Sequence, residues 1–161
     1  MEYWLYHSNV PSLHHSVFPV YLDSSIIVKL FVREPDSEYF GRLADGQALS
    51  SSMLAYTEVW SALLAKERAG GITPEQRRRA WASFQYNVDE ELIALAPLSP
   101  AIFRRTHRLL EQCQPQVPLR SLDALHLATC DQAQDWPLCT TDKRMIAAAA
   151  RLGFPLAPLP G

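Results

Sequence analysis

The chain has 161 residues, of which 48% are hydrophobic and 20% are charged, so it is long enough to bury one sizeable core. Its formal net charge of −2 argues against a strong nucleic-acid-attracting field over the whole surface, although a local basic rim is compatible with that charge. No apolar run reaches the length of a membrane helix, and no basic segment followed by an apolar core marks a signal peptide.

The number and spacing of the cysteines indicate the cellular compartment of the protein. The chain has three cysteines, Cys113, Cys130 and Cys139, which is an odd number, and no two of them have C-x-x-C spacing. A disulfide framework and a zinc site are therefore both disfavoured. We expect reduced thiols and a cytoplasmic protein.

Residues 1–19 lack a regular apolar period, and we interpret them as an N-terminal extension before a single domain over residues 20–161. The segment concentrates aromatic side chains and three of the five histidines of the chain. A metal site built from those histidines is an alternative, but their spacing matches no known ligand pattern. The residues concerned are Tyr3, Trp4, Tyr6, His7, His14 and His15.

The first predicted strand, residues 20–22, is followed at once by an acid. Its Val-Tyr-Leu sequence is typical of an enclosed strand, and Asp23 stands where that strand ends. A helix is predicted over residues 26–32, with Ser24 or Ser25 as its cap and Asp23 as an alternative cap. In open α/β sheets ligands bind outside the carboxyl ends of the strands, so Asp23 is a candidate site residue.

The rest of the chain alternates between helix and strand patterns. Proline just inside a serine or threonine cap marks helix starts at 73–74 and 99–100, Ser121 is expected to cap another helix, and Gly153 ends the last one. This alternation predicts a mostly parallel sheet of four to five strands with helices on both faces. Predicted helices cover residues 35–43, 56–67, 101–112, 122–130 and 143–152, with one more starting at 74; predicted strands cover 48–52, 92–96 and 137–140, plus an edge strand over 154–159.

Four carboxylates share a placement although they are far apart in sequence. Two follow predicted strands directly, and two lie in the first turns of predicted helices that begin at the same edge of the sheet. Taken singly, each could be a helix cap or an acid that favours the helix dipole. Together they could meet in one crevice, where oxygen-only ligands suit Mg²⁺ or Mn²⁺. In chain order they are Asp23, Glu58, Asp123 and Asp142.

Three stretches of the sequence are distinctive: 21–25 (YLDSS), 119–128 (LRSLDALHLA) and 140–144 (TTDKR). Through them the chain, from residue 20 to its end, resembles the PIN domain family and, within it, the VapC toxins of toxin–antitoxin pairs. The resemblance implies a three-layer α/β/α fold and a family quartet of acids that falls on the four carboxylates named above. It also places family hydroxyls on Thr140 and on Ser24 or Ser25.

The resemblance implies a Mg²⁺-dependent endoribonuclease, with Mn²⁺ as an alternative ion, that is inhibited by a partner antitoxin and usually forms a homodimer. The three aspartates of the quartet would ligate the ion, and Glu58 would complete the negative pocket. Ser25 or Thr140 would orient a carboxylate or a water molecule. A metal held in this way activates a water for attack on phosphorus, which predicts 5′-phosphate and 3′-hydroxyl ends.

Basic residues near the acids are candidates for contacts with an RNA backbone, namely Arg120, Lys143 and Arg144, although a solvated charged face is the ordinary alternative. His126 follows Asp123 by three residues and could reach a phosphate. A histidine in a Leu-His-Leu helix is more often a buried, hydrogen-bonded core residue, and we favour that interpretation.

Two other functions compete with the nuclease. A non-catalytic PIN-like module that binds RNA or protein is the main alternative, but such a scaffold has no physical reason to keep four repelling acids together. An aspartyl-phosphate phosphatase would need a second aspartate two residues after its nucleophile, where this chain has Ser25. Titration with Mg²⁺ or Mn²⁺ separates the nuclease from the binding module.

Overall fold

A computed structural model of the chain describes residues 19–160. Residues 1–18, and with them the histidines and aromatic side chains of the predicted N-terminal extension, lie outside the described residues. Within residues 19–160, no helix combines the length and the apolar content needed to cross a membrane.

The described residues form four strands and seven helices that alternate along much of the chain. The strands are β1 (Val20–Leu22), β2 (Leu49–Ser52), β3 (Ile93–Ala96) and β4 (Leu138–Cys139). The helices are α1 (Ser24–Phe31), α2 (Ser37–Ala44), α3 (Leu54–Arg68), α4 (Pro74–Asp89), α5 (Pro100–Cys113), α6 (Ser121–Ala133) and α7 (Lys143–Leu152).

The four strands pair in the order β3-β2-β1-β4, and every pairing is parallel. The chain builds outward from β1 through β2 to β3, and then returns to the other side of β1 with β4. Such a reversal leaves a crevice at the carboxyl ends of the two strands where the order changes. Here those strands are β1 and β4, and the register that pairs Leu22 with Cys139 brings the residues that follow each strand side by side.

The sheet is covered on both faces, which confirms the predicted three-layer α/β/α fold. Leu22 points into a core formed with α1 to α4, where Phe40 and Phe84 are fully buried. Tyr21 points the opposite way, as successive strand residues do, into a second core formed with α5, α6 and α7. Each core excludes water from one side of the short strands, so the sheet holds the groups at its carboxyl edge rigidly.

Several predicted element boundaries are confirmed. Thr73 caps α4 through a capping box with Gln76, and Pro74 is the first residue of that helix. The last helix spans residues 143–152, and Gly153 ends it with a φ of +72°, a conformation that glycine adopts without steric cost.

Other boundaries differ from the prediction. Asp23, and neither serine, accepts the capping hydrogen bond of α1. Ser121 is the first residue of α6, with Arg120 at the cap position and no side-chain cap, and α2 begins at Ser37, two residues after Pro35. The predicted edge strand over 154–159 reduces to one bridge between Leu138 and Leu156, because its two prolines supply no backbone donors to extend a ladder.

Candidate active site

A cleft of about 430 Å³ lies at the carboxyl edge of the sheet, outside β1 and β4. The structure brings all four acids singled out in the sequence to its wall, from two strand ends and two helices. The residues that line it are Asp23, Ser24, Ser25, Glu58, Ala62, Asp123, His126, Thr141, Asp142 and Met145.

Asp23 is fixed at the end of β1 and is only 6% exposed. One of its carboxylate oxygens, Oδ1, accepts the backbone N–H of Ser25 at 2.5 Å and so caps α1. The other, Oδ2, accepts the hydroxyl of buried Thr140, which follows β4. Because each carboxylate oxygen has two lone pairs, both oxygens keep capacity for a further ligand.

Asp142 caps α7 and borders the cleft at the same time. Its Oδ1 accepts the backbone N–H groups of Arg144 at 2.7 Å and Met145 at 3.0 Å. Its Oδ2 lies 3.9 Å from the guanidinium of Arg144. The sequence left two interpretations of Asp142 open, helix cap and site acid. They are compatible, because the cap uses Oδ1 and leaves Oδ2 for the cleft.

Asp123 projects from the first turn of α6, with one carboxylate oxygen buried. Its Oδ2 is buried and accepts no hydrogen bond, and its nearest cation, Nε of Arg144, lies 3.7 Å away. Burial and the neighbouring charge of Asp142 raise the pKa of Asp123, and the opposing effects of Arg144 and Arg120 do not cancel that rise. A buried acceptor without a hydrogen bond is uncommon in folded proteins, so this oxygen is available to a cation or to a hydrogen-bond donor.

Glu58 reaches the cleft from α3. The helix begins at Leu54, two residues earlier than predicted, so Glu58 lies in the second turn and not in the first. Its Oε2 accepts the hydroxyl of Ser24 at 2.6 Å and lies 2.6 Å from Nε2 of His126. Burial alone would raise the pKa of Glu58, but the interactions with His126 and Ser24 outweigh burial and lower it.

The two serines after Asp23 have different positions. Ser24 is buried and directs its hydroxyl to Glu58, whereas Ser25 is exposed and contributes its backbone N–H to Asp23. The sequence favoured Ser25 as the supporting hydroxyl. In the structure, the hydroxyl that contacts an acid is that of Ser24, and the acid is Glu58.

Comparison with known proteins adds to this geometry. The family model of the PIN domain matches residues 20–152. The chain belongs to the PIN domain family. Among curated relatives, the Ribonuclease VapC46 of Mycobacterium tuberculosis is 39% identical over 140 residues, which cover 84% of this chain and 93% of the relative. The ribonucleases VapC45 and VapC49 of the same species are each 33% identical over 146 residues, covering 86% of this chain and 94% of the relative. These relatives place the chain in the VapC branch of the family.

The donor set of this PIN domain suits a hard cation, because carboxylate oxygens are the ligands that Mg²⁺ and Mn²⁺ prefer. The partnerless buried oxygen of Asp123 fits such an ion. Within residues 19–160, however, no group of three or more histidine, cysteine, aspartate or glutamate side chains is arranged closely enough to hold a metal. In this arrangement the guanidinium of Arg144 lies between Asp123 and Asp142, 3.7 Å from the first and 3.9 Å from the second.

The three basic residues selected from the sequence separate into two groups in the PIN domain. Arg120 and Lys143 are exposed beside the helices that carry Asp123 and Asp142. Arg144 turns inward between those two acids, and its Nε is buried without a hydrogen bond. Arg144 therefore compensates acidic charge in this arrangement.

His126 is 3% exposed and hydrogen-bonded on both ring nitrogens, as favoured from the sequence. Its link to Tyr21, whose hydroxyl lies 2.9 Å from Nδ1, was not foreseen. A signal for that link existed, since a tyrosine inside a buried strand must find a partner for its hydroxyl.

The three cysteines of the PIN domain are free and buried. Burial raises the pKa of the Cys139 thiol to about 12. Such a thiol stays protonated at neutral pH and is a poor nucleophile or metal ligand.

Proposed function

We propose that this PIN domain is a Mg²⁺-dependent endoribonuclease, with Mn²⁺ as an alternative ion, and the toxin of a cytoplasmic toxin–antitoxin pair. The observation that carries the proposal is a cleft lined by four carboxylates, among them Asp123, which has a buried oxygen without a hydrogen bond. The similarity to three relatives named ribonuclease VapC supports the choice of RNA as substrate. The same similarity supports an antitoxin protein as the partner, and the resemblance to the family adds a homodimer as the expected assembly.

Each residue of the site has a task in this proposal. Asp23, Asp123 and Asp142 would hold the ion, and Glu58 would complete the negative wall. When bound, Mg²⁺ supplies a Lewis acid that offsets phosphate charge and lowers the pKa of a water molecule. Hydrolysis by water, with no need for the RNA 2′-hydroxyl, leaves 5′-phosphate and 3′-hydroxyl ends.

Residues around the acids position the carboxylates and the substrate. The hydroxyl of Thr140 keeps Asp23 in one rotamer, and the hydroxyl of Ser24 does the same for Glu58. Arg120 and Lys143 are placed to contact RNA phosphates through exposed cationic side chains.

The asparagine variants Asp23→Asn and Asp142→Asn test the proposal, because asparagine is as good a helix cap as aspartate but lacks the charge that holds a cation. Mg²⁺-dependent cleavage should fall by more than about 100-fold, since residues that merely orient metal ligands already account for about 10- to 100-fold. Thermal unfolding should show that both variants stay folded.

Asp45→Asn is the matched control, since Asp45 is an exposed aspartate outside the cleft, and its cleavage should equal that of the wild type. Full activity in both cleft variants would refute the metal-dependent mechanism. Analysis of the product ends gives a second check, because a 2′,3′-cyclic phosphate would exclude direct hydrolysis by water.

The spacing of the acids favours one alternative, a non-catalytic PIN-like module that binds RNA or protein. Within the described residues the carboxylates are not close enough to hold an ion in this arrangement. Calorimetric titration with Mg²⁺ and Mn²⁺ decides between the two functions. Binding at millimolar concentration or below supports the nuclease, and its complete absence supports the module.

A further inference from the structure

A buried chain of hydrogen bonds runs behind Glu58 and joins three separate elements. The Tyr21 hydroxyl on β1 lies 2.9 Å from Nδ1 of His126 on α6. On the far side of the same ring, Nε2 lies 2.6 Å from Oε2 of Glu58 on α3. Tyr21 is fully buried and His126 is 3% exposed, so water does not compete for the contact between them.

The chemistry of the two partners determines which ring nitrogen carries the proton. Ionised Glu58 can only accept, so Nε2 must donate to it. A tyrosine phenol is protonated at neutral pH, so the Tyr21 hydroxyl can donate to Nδ1. A neutral imidazole that is protonated on Nε2 and accepts at Nδ1 satisfies both contacts.

Ser24 adds a second donor to the same glutamate oxygen. Its hydroxyl lies 2.6 Å from Oε2 of Glu58 and 3.3 Å from Nε2 of His126. Two donors from different elements restrict the side-chain torsions of the glutamate, while Oε1 lies outside this network. Partners of this kind orient the ligands of a metal and raise their affinity for it.

We propose that His126 is a positioning residue for Glu58: Tyr21 holds the imidazole in the Nε2–H tautomer, and His126 with Ser24 fixes one carboxylate oxygen so that the other serves the cleft. The effect on cation binding rests on the proposed function, in which Glu58 belongs to the cation site. The tautomer of His126 does not depend on the proposed function, because it follows from contacts within the chain.

The tautomer can be read from the ¹⁵N chemical shifts of the histidine side chain in the labelled full-length chain, with His126→Gln used to assign its signals. We expect a proton on Nε2 and none on Nδ1. In Tyr21→Phe, which removes the donor to Nδ1 and keeps the ring, the Nδ1–H form should become populated. A wild-type spectrum with a proton on Nδ1 would overturn the proposal.

The positioning effect is measured by titrating full-length variants with Mn²⁺. In His126→Leu, the affinity for Mn²⁺ should fall by about 10- to 100-fold, the usual effect of removing a partner of a metal ligand. His126→Gln keeps an N–H donor and should restore most of that loss. Tyr21→Phe should weaken binding by about two- to tenfold, the effect of one neutral hydrogen bond.

Thr106→Val is the control for losing a buried hydrogen bond, because Thr106 donates to Ile102 on α5 and lies outside the cleft. Its affinity for Mn²⁺ should equal that of the wild type. Wild-type affinity in folded His126→Leu would refute the positioning role. If the wild type itself does not bind Mn²⁺, the proposed nuclease function fails, and the ¹⁵N spectrum alone decides the tautomer.

Discussion

Two clusters of acids in this protein differ in how many lysine and arginine partners the chain supplies to them. The cleft acids Asp23, Glu58, Asp123 and Asp142 form ion pairs with only one of the described lysines and arginines, Arg144. The second cluster, which we call the Glu34 hub, consists of Glu34, Asp36, Lys29 and Lys66 and joins α1 and α3. There Lys29 lies 2.8 Å from Glu34 and 3.2 Å from Asp36, and Lys66 pairs with the other oxygen of Glu34.

The pKa values of Glu34 and Asp123 differ in the same way as the number of lysine and arginine side chains that contact them. At the Glu34 hub, burial acts to raise the pKa of Glu34, but the two lysines outweigh burial and lower it. In the cleft, burial and Asp142 raise the pKa of Asp123, and the arginines nearby do not compensate. Carboxylates matched by the chain's own cations stabilise the fold, whereas carboxylates left short of cations are available to an external one.

The largest contrast is expected in catalysis. Asp123→Asn removes one cleft charge and should lower Mg²⁺-dependent RNA cleavage by more than about 100-fold, because the ion would lose a direct ligand. Glu34→Gln removes an equally buried charge from the hub and should leave the rate per folded molecule unchanged. Equal losses in both variants would remove the distinction between the two clusters.

A cation should stabilise the protein through the cleft alone. At a Mg²⁺ concentration 100 times the dissociation constant, the free energy of unfolding should rise by about 2.7 kcal/mol, since only the folded chain binds the ion. Glu34→Gln should keep this gain, and Asp123→Asn should lose most of it. Thermal unfolding with and without Mg²⁺ measures the effect; a gain retained by Asp123→Asn would place the ion elsewhere.

The hub should matter most for stability without a metal. Glu34→Gln should lower the free energy of unfolding by about 2 kcal/mol, because two lysines lose a charged hydrogen-bond partner. The pKa of Glu34 is lowered by folding, so its contribution exists above the usual glutamate pKa and is lost as the pH falls through the folded value.

Denaturant unfolding at neutral and acidic pH measures the loss of stability in Glu34→Gln and its dependence on pH. The exposed Glu38, paired with Arg42, supplies the control: Glu38→Gln should change stability by less than about 1 kcal/mol. A loss in Glu38→Gln as large as that in Glu34→Gln would contradict the account of the hub.

The smallest expected effect is a gain in the free energy of unfolding, whereas Glu34→Gln is expected to cause a loss. In metal-free buffer, Asp123→Asn should stabilise the fold by about 1 kcal/mol at neutral pH, the usual size of a single stabilising substitution. Folding raises the pKa of Asp123, so ionisation lowers stability as the pH rises above the ordinary aspartate value of 3.8. As the pH rises above that value, Asp123→Asn should lose less stability than the wild type. If Asp123→Asn is less stable than the wild type at neutral pH, the expectation is wrong.

Much of the fold was predictable because its signals are local. The Val-Tyr-Leu strand before Asp23, the capping box at Thr73 and the glycine that ends α7 each act over a few neighbouring residues. Alternating patterns of period two and period three to four then imply a parallel sheet covered on both faces. Three of the acids could be selected for the same reason, since Asp23, Asp123 and Asp142 adjoin a strand or helix end that the sequence marks, whereas Glu58 lies in the second turn of its helix.

Contacts between distant elements were decided only by the tertiary structure. The sequence offered both Ser24 and Ser25 beside Asp23 and favoured Ser25 as the supporting hydroxyl, but the packing of α1 against α3 determines that Ser24 meets Glu58. The inward turn of Arg144 and the edge bridge at Leu156 likewise depend on neighbours supplied by folding.

The link from Tyr21 through His126 to Glu58 shows the difference most clearly. The sequence alone identified a buried histidine, because its apolar neighbours on the helix indicate burial. It could not name the histidine's partners, which are 105 and 68 residues away and are brought together by β1, α3 and α6. Hydrogen-bond partners follow from the three-dimensional packing of elements, and the spacing of residues along one element does not contain that information.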